Sequence, residues 1–399
     1  MSRLRFLTAG ESHGPAVTAI LEGMPAGVPL GPGDLLADLA RRQGGYGRGG
    51  RMDIERDAAA LLGGVMGGAT TGGPISLLIR NRDWASKWCD FAIPSLTVPR
   101  PGHADLTGAV KYGYRDLRLS LERASARETA ARVAVGAVCK RLLGEFGVQV
   151  QGYVLSIGNV DGDRERIGAM PYAARFDAAE QSDVRCPDPD AGEAMREAIR
   201  QAKIDKDTLG GVFEVVALGV PPGLGSHVHY DRRLDGRLMG AVGSIQAVKG
   251  VEIGPAFENA RRRGTQVHDE IVIAGDGRTF ARASNRAGGF EGGITTGEPL
   301  VIRAAMKPIS TTLTPLGSVD LATGEPAHTE YERSDFCAVP AAAVVAEAMA
   351  AFVLADALLE KLGGDSLDEM RPRFEALRRG RLGELEMDDK PWRFGYEDW

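Results

Sequence analysis

GGVMGGATTGGPIS, from Gly63 to Ser76, returns more than two hundred residues later as GGFEGGITTGEPLV, from Gly288 to Val301, with eight of fourteen positions identical and no gap. Self-similarity of this kind marks related supersecondary units, and two copies are too few for a solenoid. Each copy runs into a short apolar stretch, Ile75 to Ile79 and Leu300 to Ile302, so each glycine turn is predicted to launch a strand from an equivalent place. Any domain division has to respect that possible pseudo-symmetry; chance likeness between two Gly/Thr turns is the alternative.

Working outward, Leu4 to Leu7 reads as a strand, and Gly33 to Gln43 as a helix with Asp34 as N-cap. GGYGRGGR breaks that helix, and Met52 to Leu62 can form another. The spacing of Ala, Val and Leu predicts a long helix from about Leu121 to Phe146, with Ala126, Ala130, Ala134 and Ala137 offering a face for close approach. A second long helix runs from Pro340 to Leu362 and stops before Gly363 and Gly364. Between them VQGYVLSIGNV and GVFEVVALGVP are strand-like, Asp161 to Lys206 suits exposed helix and loop, and LMGAVGSIQAVKGVEIG reads as helix followed by strand. The tail beyond Ser366 is expected to be a peripheral helix or loop.

A chain of 399 residues can bury a substantial core. Its 53 glycines are nearly twice the usual ~7% and imply many tight turns. The formal charge of −6 argues against a general nucleic-acid coat. Cys89, Cys139, Cys186 and Cys337 are scattered with no CxxC pair, which fits a reducing compartment. The first residues lack a basic segment and apolar run, so no secretory signal is expected. The apolar stretch from Phe336 to Leu359 carries Glu347 and Asp356 and reads as a buried helix rather than a membrane span.

Several motifs could carry chemistry. GESHG sets Ser12 and His13 in a glycine-flanked turn, where an imidazole could approach a bound anion; a structural turn histidine is the plainer reading, and the GxSxG elbow of a serine hydrolase is absent. PRPGHADLTG holds His103 near Asp105 on a rigid loop, as a proton donor or as an ordinary surface turn. His227 and His229 alternate as on a strand face, but no third metal ligand has recognisable spacing. RRQGGYGRGGRMDIERD brings Arg41, Arg42, Arg48, Arg51 and Arg56 together, as a clamp for phosphate or carboxylates, a solvated basic surface, or a short RNA-binding segment. KPISTTLTPLG joins Lys307 to a run of hydroxyls suited to a polyanion, though it is no Walker A loop and no Rossmann fingerprint is present. Arg333 and Asp335 precede the second long helix, where they could serve chemistry or merely cap it.

Taken together, GESHGPAVTAILEGMPAG at Gly10, RRQGGYGRGGRM at Arg41, ERASARETAARVAVGAV at Glu122 and RSDFCAVPAAAVVAEAM at Arg333, with PRPGHAD and MKPISTTLTP, closely resemble the chorismate synthase family. The correspondence extends from roughly residue 3 to 362, with no departure at the family's principal catalytic positions. The resemblance implies an α+β fold, a β-α-β sandwich with a helical core between antiparallel sheets, as one domain with a peripheral segment from about residue 363. It implies a homotetramer, reduced FMN as cofactor, and an overall 1,4-anti elimination of phosphate from 5-enolpyruvylshikimate 3-phosphate to give chorismate.

By the same resemblance His13 protonates the leaving phosphate, His103 supplies a proton near the reduced flavin, and Asp335 assists proton removal from substrate carbon. Arg42 and Arg48 match anion-binding positions for substrate. Arg123, Ala124, Ser125, Gln246, Ala247, Gly292, Lys307, Pro308, Ile309, Ser310, Thr311 and Arg333 match flavin contacts. NADPH is expected as the indirect source of reducing equivalents through a separate flavin reductase, and the cytoplasm as the location. The residual alternatives are a flavin oxidoreductase, which would pass hydride to a second substrate, and an RG-loop RNA-binding protein.

Overall fold

The computed structural model describes residues 4–49, 56–84, 88–89, 93–332, 334–392 and 394–395. The fold is α+β. Its first part runs β1 (Arg5–Ala9), β2 (Ala16–Glu22), α1 (Pro32–Gln43), β3 (Ala59–Gly63), the short pair β4 (Val65–Met66) and β5 (Ala69–Thr70), β6 (Ile75–Arg80), α2 (Asp105–Tyr112), α3 (Arg118–Ala124) and α4 (Thr129–Gly144). β1, β2, β6 and β3 hydrogen-bond in that order into an antiparallel sheet. Alternation sends Val17, Ala19, Leu21, Ile75, Leu77 and Ile79 to the buried face, while Leu7, Ile20 and Leu62 stay exposed.

Three expectations for this part are corrected. Asp34 is not the N-cap of α1: Gly31 occupies that position, Pro32 fixes the first turn, and the Asp34 carboxylate reaches back to accept from Gly31 N at 2.8 Å. The helix expected over Met52 to Leu62 gives way at its end to β3, because Ala59, Ala60 and Leu61 pair with Ile79, Leu78 and Leu77; residues 50–55 lie outside the described set. The helix expected from Leu121 to Phe146 is broken at Ser125, which is extended at φ −60°, ψ 143°. The Ser125 hydroxyl caps the next turn by accepting from Arg127 N at 3.3 Å and lies 3.0 Å from Ser12 Oγ, so a polar side chain wins against helix continuation.

The second part begins with β7 (Gln149–Ile157) and β8 (Val160–Asp161), followed by α5 (Arg164–Ala169), α6 (Tyr172–Gln181), α7 (Pro189–Ile204), β9 (Gly211–Leu218), α8 (Leu234–Gly243), β10 (Val248–Ile253) and α9 (Ala256–Asn259). Hairpins β11 (Ile271–Ile273) with β12 (Phe280–Arg282) and β13 (Phe290–Glu291) with β14 (Ile294–Thr295) precede β15 (Leu300–Met306). β16 (Gly317–Val319) pairs with β17 (Pro326–His328), and α10 (Val339–Leu362) and α11 (Leu367–Glu375) close the chain. The second antiparallel sheet has the order β10-β15-β9-β7-β8. α5 to α7 are less exposed than expected. Ile167, Phe176 and Ala179 bury against Tyr153, Leu155, Val216 and Val301 of this sheet. α11 is the expected peripheral helix, anchored by Leu367 and Met370.

α4 packs on β2 and β6, α10 packs on β7 and β9, and the two helices pack on each other, with α1 and α8 alongside. Their close approach rests on small residues: a Cβ added at Gly136 would lie 2.2 Å from Cβ and 2.4 Å from Cα of Ala348. Gly136→Ala must therefore drive α4 and α10 apart, at an expected cost of about 1–3 kcal/mol. Urea denaturation at fixed protein concentration reads this, and an unchanged midpoint would refute the contact.

The two glycine-rich copies fold alike. Gly67 and Gly68, at φ 60° and 82°, turn β4 into β5; Gly292 and Gly293, at φ 59° and 81°, turn β13 into β14. Thr70 Oγ1 donates to Pro25 O at 2.5 Å and accepts from Val28 N at 3.0 Å. Thr295 Oγ1 donates to Pro221 O at 2.7 Å and accepts from Leu224 N at 2.9 Å.

Candidate active site

A cavity of about 470 Å³ opens where several turns of both parts converge. The β1–β2 loop brings Ser12 and His13, and the chain after α1 brings Arg48 and Gly49. The chain after β6 brings Arg100 and His103, and the α3–α4 break brings Ala124 and Ser125. Gln246 and Ala247 follow α8, Lys307 to Thr311 follow β15, and Asp335 precedes α10.

His13 sits on Trp88, with ring centroids 4.5 Å apart. Its Nδ1 lies 2.9 Å from Glu122 Oε1, and its backbone N donates to Glu122 Oε2 at 2.7 Å. Burial would push the Glu122 carboxyl up, but the hydrogen bonds and charge of His13, with Arg118, hold it below its ordinary range. The loop is fixed independently of the ring: Ser12 N donates to Glu122 O at 3.1 Å, and Asn81 Nδ2 donates to Gly14 O at 2.6 Å.

His103 Nδ1 lies 2.5 Å from Oδ1 of Asp105, a fully buried residue at the start of α2. Arg100 also grips Asp105, through Nε to Oδ2 at 2.8 Å and Nη2 to Oδ1 at 3.1 Å, and donates to Thr311 Oγ1 at 3.0 Å. Burial opposes ionisation of Asp105, yet His103 and Arg100 hold its carboxyl far below the ordinary range. Lys307 Nζ donates to Gly102 O at 3.1 Å, and burial, with the charge of Lys249, lowers the Lys307 ammonium.

Arg41, Arg42 and Arg48 of the arginine-rich passage turn inward onto carboxylates, whereas Arg56 is exposed. Arg41 bonds Glu347, Asp38 and Glu180. Arg42 lines the cavity, but its guanidinium is buried and engaged with Thr129 Oγ1 at 2.9 Å, Asp57 Oδ2 at 3.3 Å and Ala126 O at 3.0 Å. Burial lowers its pKa to about 10 against the pull of Asp57. Arg48 Nη1 pairs with Asp335 Oδ2 at 2.7 Å, and Gly49 N donates to Asp335 Oδ1 at 2.7 Å. Asp335 therefore does not cap α10, whose N-cap is Ala338 without a side-chain bond.

Ala124, Ser125, Gln246, Ala247, Lys307, Ile309, Ser310 and Thr311 line the cavity together. Gln246 Nε2 donates to Glu128 Oε2 at 3.2 Å while its Oε1 is buried without a hydrogen-bond partner. Ala247 holds a left-handed φ of 65°, uncommon for a residue with a Cβ. Pro308 is not among the lining residues. Arg123 turns outward, its Nη2 donating to Thr8 O at 2.9 Å and Thr8 Oγ1 at 2.8 Å. Gly292 is not brought to the cavity; it sits at the β13–β14 turn beside His227, and its positive φ already explains a glycine there. Arg333 and Arg51 lie outside the described residues. His229 Nδ1 lies 2.8 Å from Asp231 Oδ1 on the surface, and no His, Cys, Asp or Glu cluster among the described residues could hold a metal ion.

Sequence reasoning missed Arg100, Arg127, Glu122, Asn81 and Asp57. Arg100 stands between Pro99 and Pro101 in PRPGHAD, a signal of a rigid loop that could have drawn attention to it. Arg127 is buried between Asp57 Oδ1 at 2.5 Å and Asn81 Oδ1 at 2.7 Å, contacts that no local pattern announces.

The family model for chorismate synthase matches residues 4–359. The chain is 55% identical to the chorismate synthase of Desulforudis audaxviator over 95% of its own length and 100% of that protein. It is 56% identical to that of Aquifex aeolicus over 93% of its own length and 96% of that protein. A solved structure described as "Crystal Structure of Chorismate Synthase" matches at 50% identity with a TM-score of 0.77, covering 94% of this chain and 97% of that one.

Proposed function

This chain belongs to the chorismate synthase family, whose members eliminate phosphate from 5-enolpyruvylshikimate 3-phosphate to give chorismate, and we propose that the cavity described above is where it carries out that reaction. One observation carries the placement. Arg42, Arg48, Arg100, Arg127 and Lys307 line a space that also holds two carboxylate-bound histidines, with Glu332 and Asp335 as its acidic members. A substrate with one phosphate and two carboxylates matches that balance, and fixed cations stabilise charge as it gathers on departing phosphate.

In this reading His13 gives a proton to the leaving phosphate, and His103, on the same cavity, holds another. Asp335, kept in place by Arg48 and Gly49, is the base near the carbon that loses hydrogen. Reduced FMN, where bound, would supply transient electron density to the substrate. The residues present fit such a group: Gln246 Oε1 is a buried acceptor with no partner, Ala247 is held in a left-handed conformation, and Lys307, Ser310 and Thr311 offer donors for a phosphate. Arg123 and Gly292 are not used in this arrangement.

The β-α-β sandwich follows the same logic. β1-β2-β6-β3 and β7-β9-β15-β10 share one order, each followed by a long helix, and the matched hairpins occupy corresponding places. The reading is an internal duplication within one domain, with the cavity drawing equivalent turns from both halves. A homotetramer, an external flavin reductase fed by NADPH, and a cytoplasmic location complete the proposal.

The test is anaerobic chorismate formation with chemically reduced FMN, then with oxidised FMN plus NADPH. Many turnovers per flavin in the first mixture support the site; no product from folded, flavin-bound protein overturns it. Arg48→Ala should raise KM for substrate on the order of tenfold or more, since it removes a poorly solvated cation. An unchanged KM would remove Arg48 from the anion site.

A further inference from the structure

His13 and His103 both rest on carboxylates, but the two carboxylates differ. Asp105 is already gripped by Arg100 through Nε at 2.8 Å and Nη2 at 3.1 Å, so a neighbouring cation cancels its charge. Among the described residues Glu122 has no such clamp. The cation beside it is Arg118, one helical turn earlier on α3, at 3.8 Å from Oε1, and the Nε and Nη1 of Arg118 are buried without a hydrogen-bond partner. Both Glu122 oxygens face His13 instead, one on Nδ1 at 2.9 Å and one on the backbone N at 2.7 Å.

We propose that Glu122 is the positioning residue that makes His13, rather than His103, the proton donor of the reaction. The inference rests on the reading of His13 given above. An ionised carboxylate only accepts hydrogen bonds, so Nδ1 carries a hydrogen and Nε2 is the ring nitrogen left to act in the cavity. In the step itself the Nε2–H bond breaks as an O–H bond forms on phosphate and the C–O electron pair leaves with the phosphate; the C–H bond breaks with its proton passing to Asp335 and its electron pair closing the new double bond, and the His13 ring becomes neutral while keeping its hydrogen on Nδ1. Other charged or polar groups near this pair are Glu11 in the same loop, Asp83 through Trp88 Nε1 at 3.1 Å, and Arg127 through Asn81.

The test compares Glu122→Gln, Glu122→Asp, His13→Ala and the double variant His13→Ala/Glu122→Gln in anaerobic turnover across pH. Glu122→Gln should lower kcat about 10- to 100-fold with little change in KM, and alter the alkaline limb of the kcat–pH profile. Glu122→Asp should restore that limb, and the double variant should be no slower than His13→Ala. In histidine-labelled protein without flavin or substrate, ring ¹⁵N shifts assigned through His13→Ala should show hydrogen on Nδ1 in the wild type and loss of that preference in Glu122→Gln. A Glu122→Gln variant with wild-type turnover and pH profile beside a crippled His13→Ala, or additive losses in the double variant, overturns the inference alone. Wild-type turnover by His13→Ala removes the assignment of His13 and this inference with it.

Discussion

His13→Ala is expected to lower kcat by about 10²- to 10⁴-fold while leaving the protein folded, the usual range for losing a positioned acid or base. The fold should survive because the loop does not depend on the ring. Ser12 N is held by Glu122 O, and Asn81 Nδ2 bridges to Gly14 O. What disappears is a proton source in a cavity whose arginines are too basic to give up a proton readily near neutral pH. Steady-state turnover to chorismate, compared with the urea midpoint of the same preparation, separates the two roles. A kcat within a few-fold of wild type would dismiss His13 as the donor; a midpoint falling in step with activity would make it a structural residue.

The contrast between His13 and its supports shows what a sequence can reveal. His13 and His103 were legible because glycines and prolines frame them in turns, and turn chemistry is local. α10 was legible to within one residue because an uninterrupted apolar run needs no partner to declare itself. The break at Ser125 was not, since it depends on Ser12, more than a hundred residues away. β3 was misread for the same reason: alanines and leucines favour a helix until β6 offers them a ladder. Gly292 is the opposite case. The residue pattern correctly announced a tight turn, whereas its flavin role came from resemblance alone, and the turn lies away from the cavity. Asp57 and Glu122 stayed hidden because a buried carboxylate and a solvated one look alike in sequence until the arginine or histidine it meets is known.

Glu347→Gln is expected to destabilise the protein by about 3–5 kcal/mol at neutral pH, because it strips the charge from one side of a buried ionic cluster. Glu347 lies fully buried in the middle of α10. It accepts from Arg41 of α1 at 2.7 and 2.8 Å, from Lys140 of α4 at 2.7 Å and from Gly152 N of β7 at 2.8 Å. Burial would raise its pKa, but Lys140, Arg41 and Arg185 overcome that and hold it down to about 2 from an ordinary 4.5. A depressed carboxylate contributes its full stability above the unfolded pKa and loses it as pH falls through the folded one. The gap in urea midpoint between wild type and Glu347→Gln should therefore be widest above about pH 4.5 and close as pH approaches 2. A gap that stays constant over that range, or a variant as stable as wild type, would show that the cluster contributes nothing net. The same cluster ties α10 to α1 and α4, and Ala341, Ala342 and Val345 of α10, within the two turns before Glu347, line the cavity. Its charge thus fixes the height at which that wall meets the loops carrying Arg48 and Ser125, which links a buried ion cluster to the shape of the site.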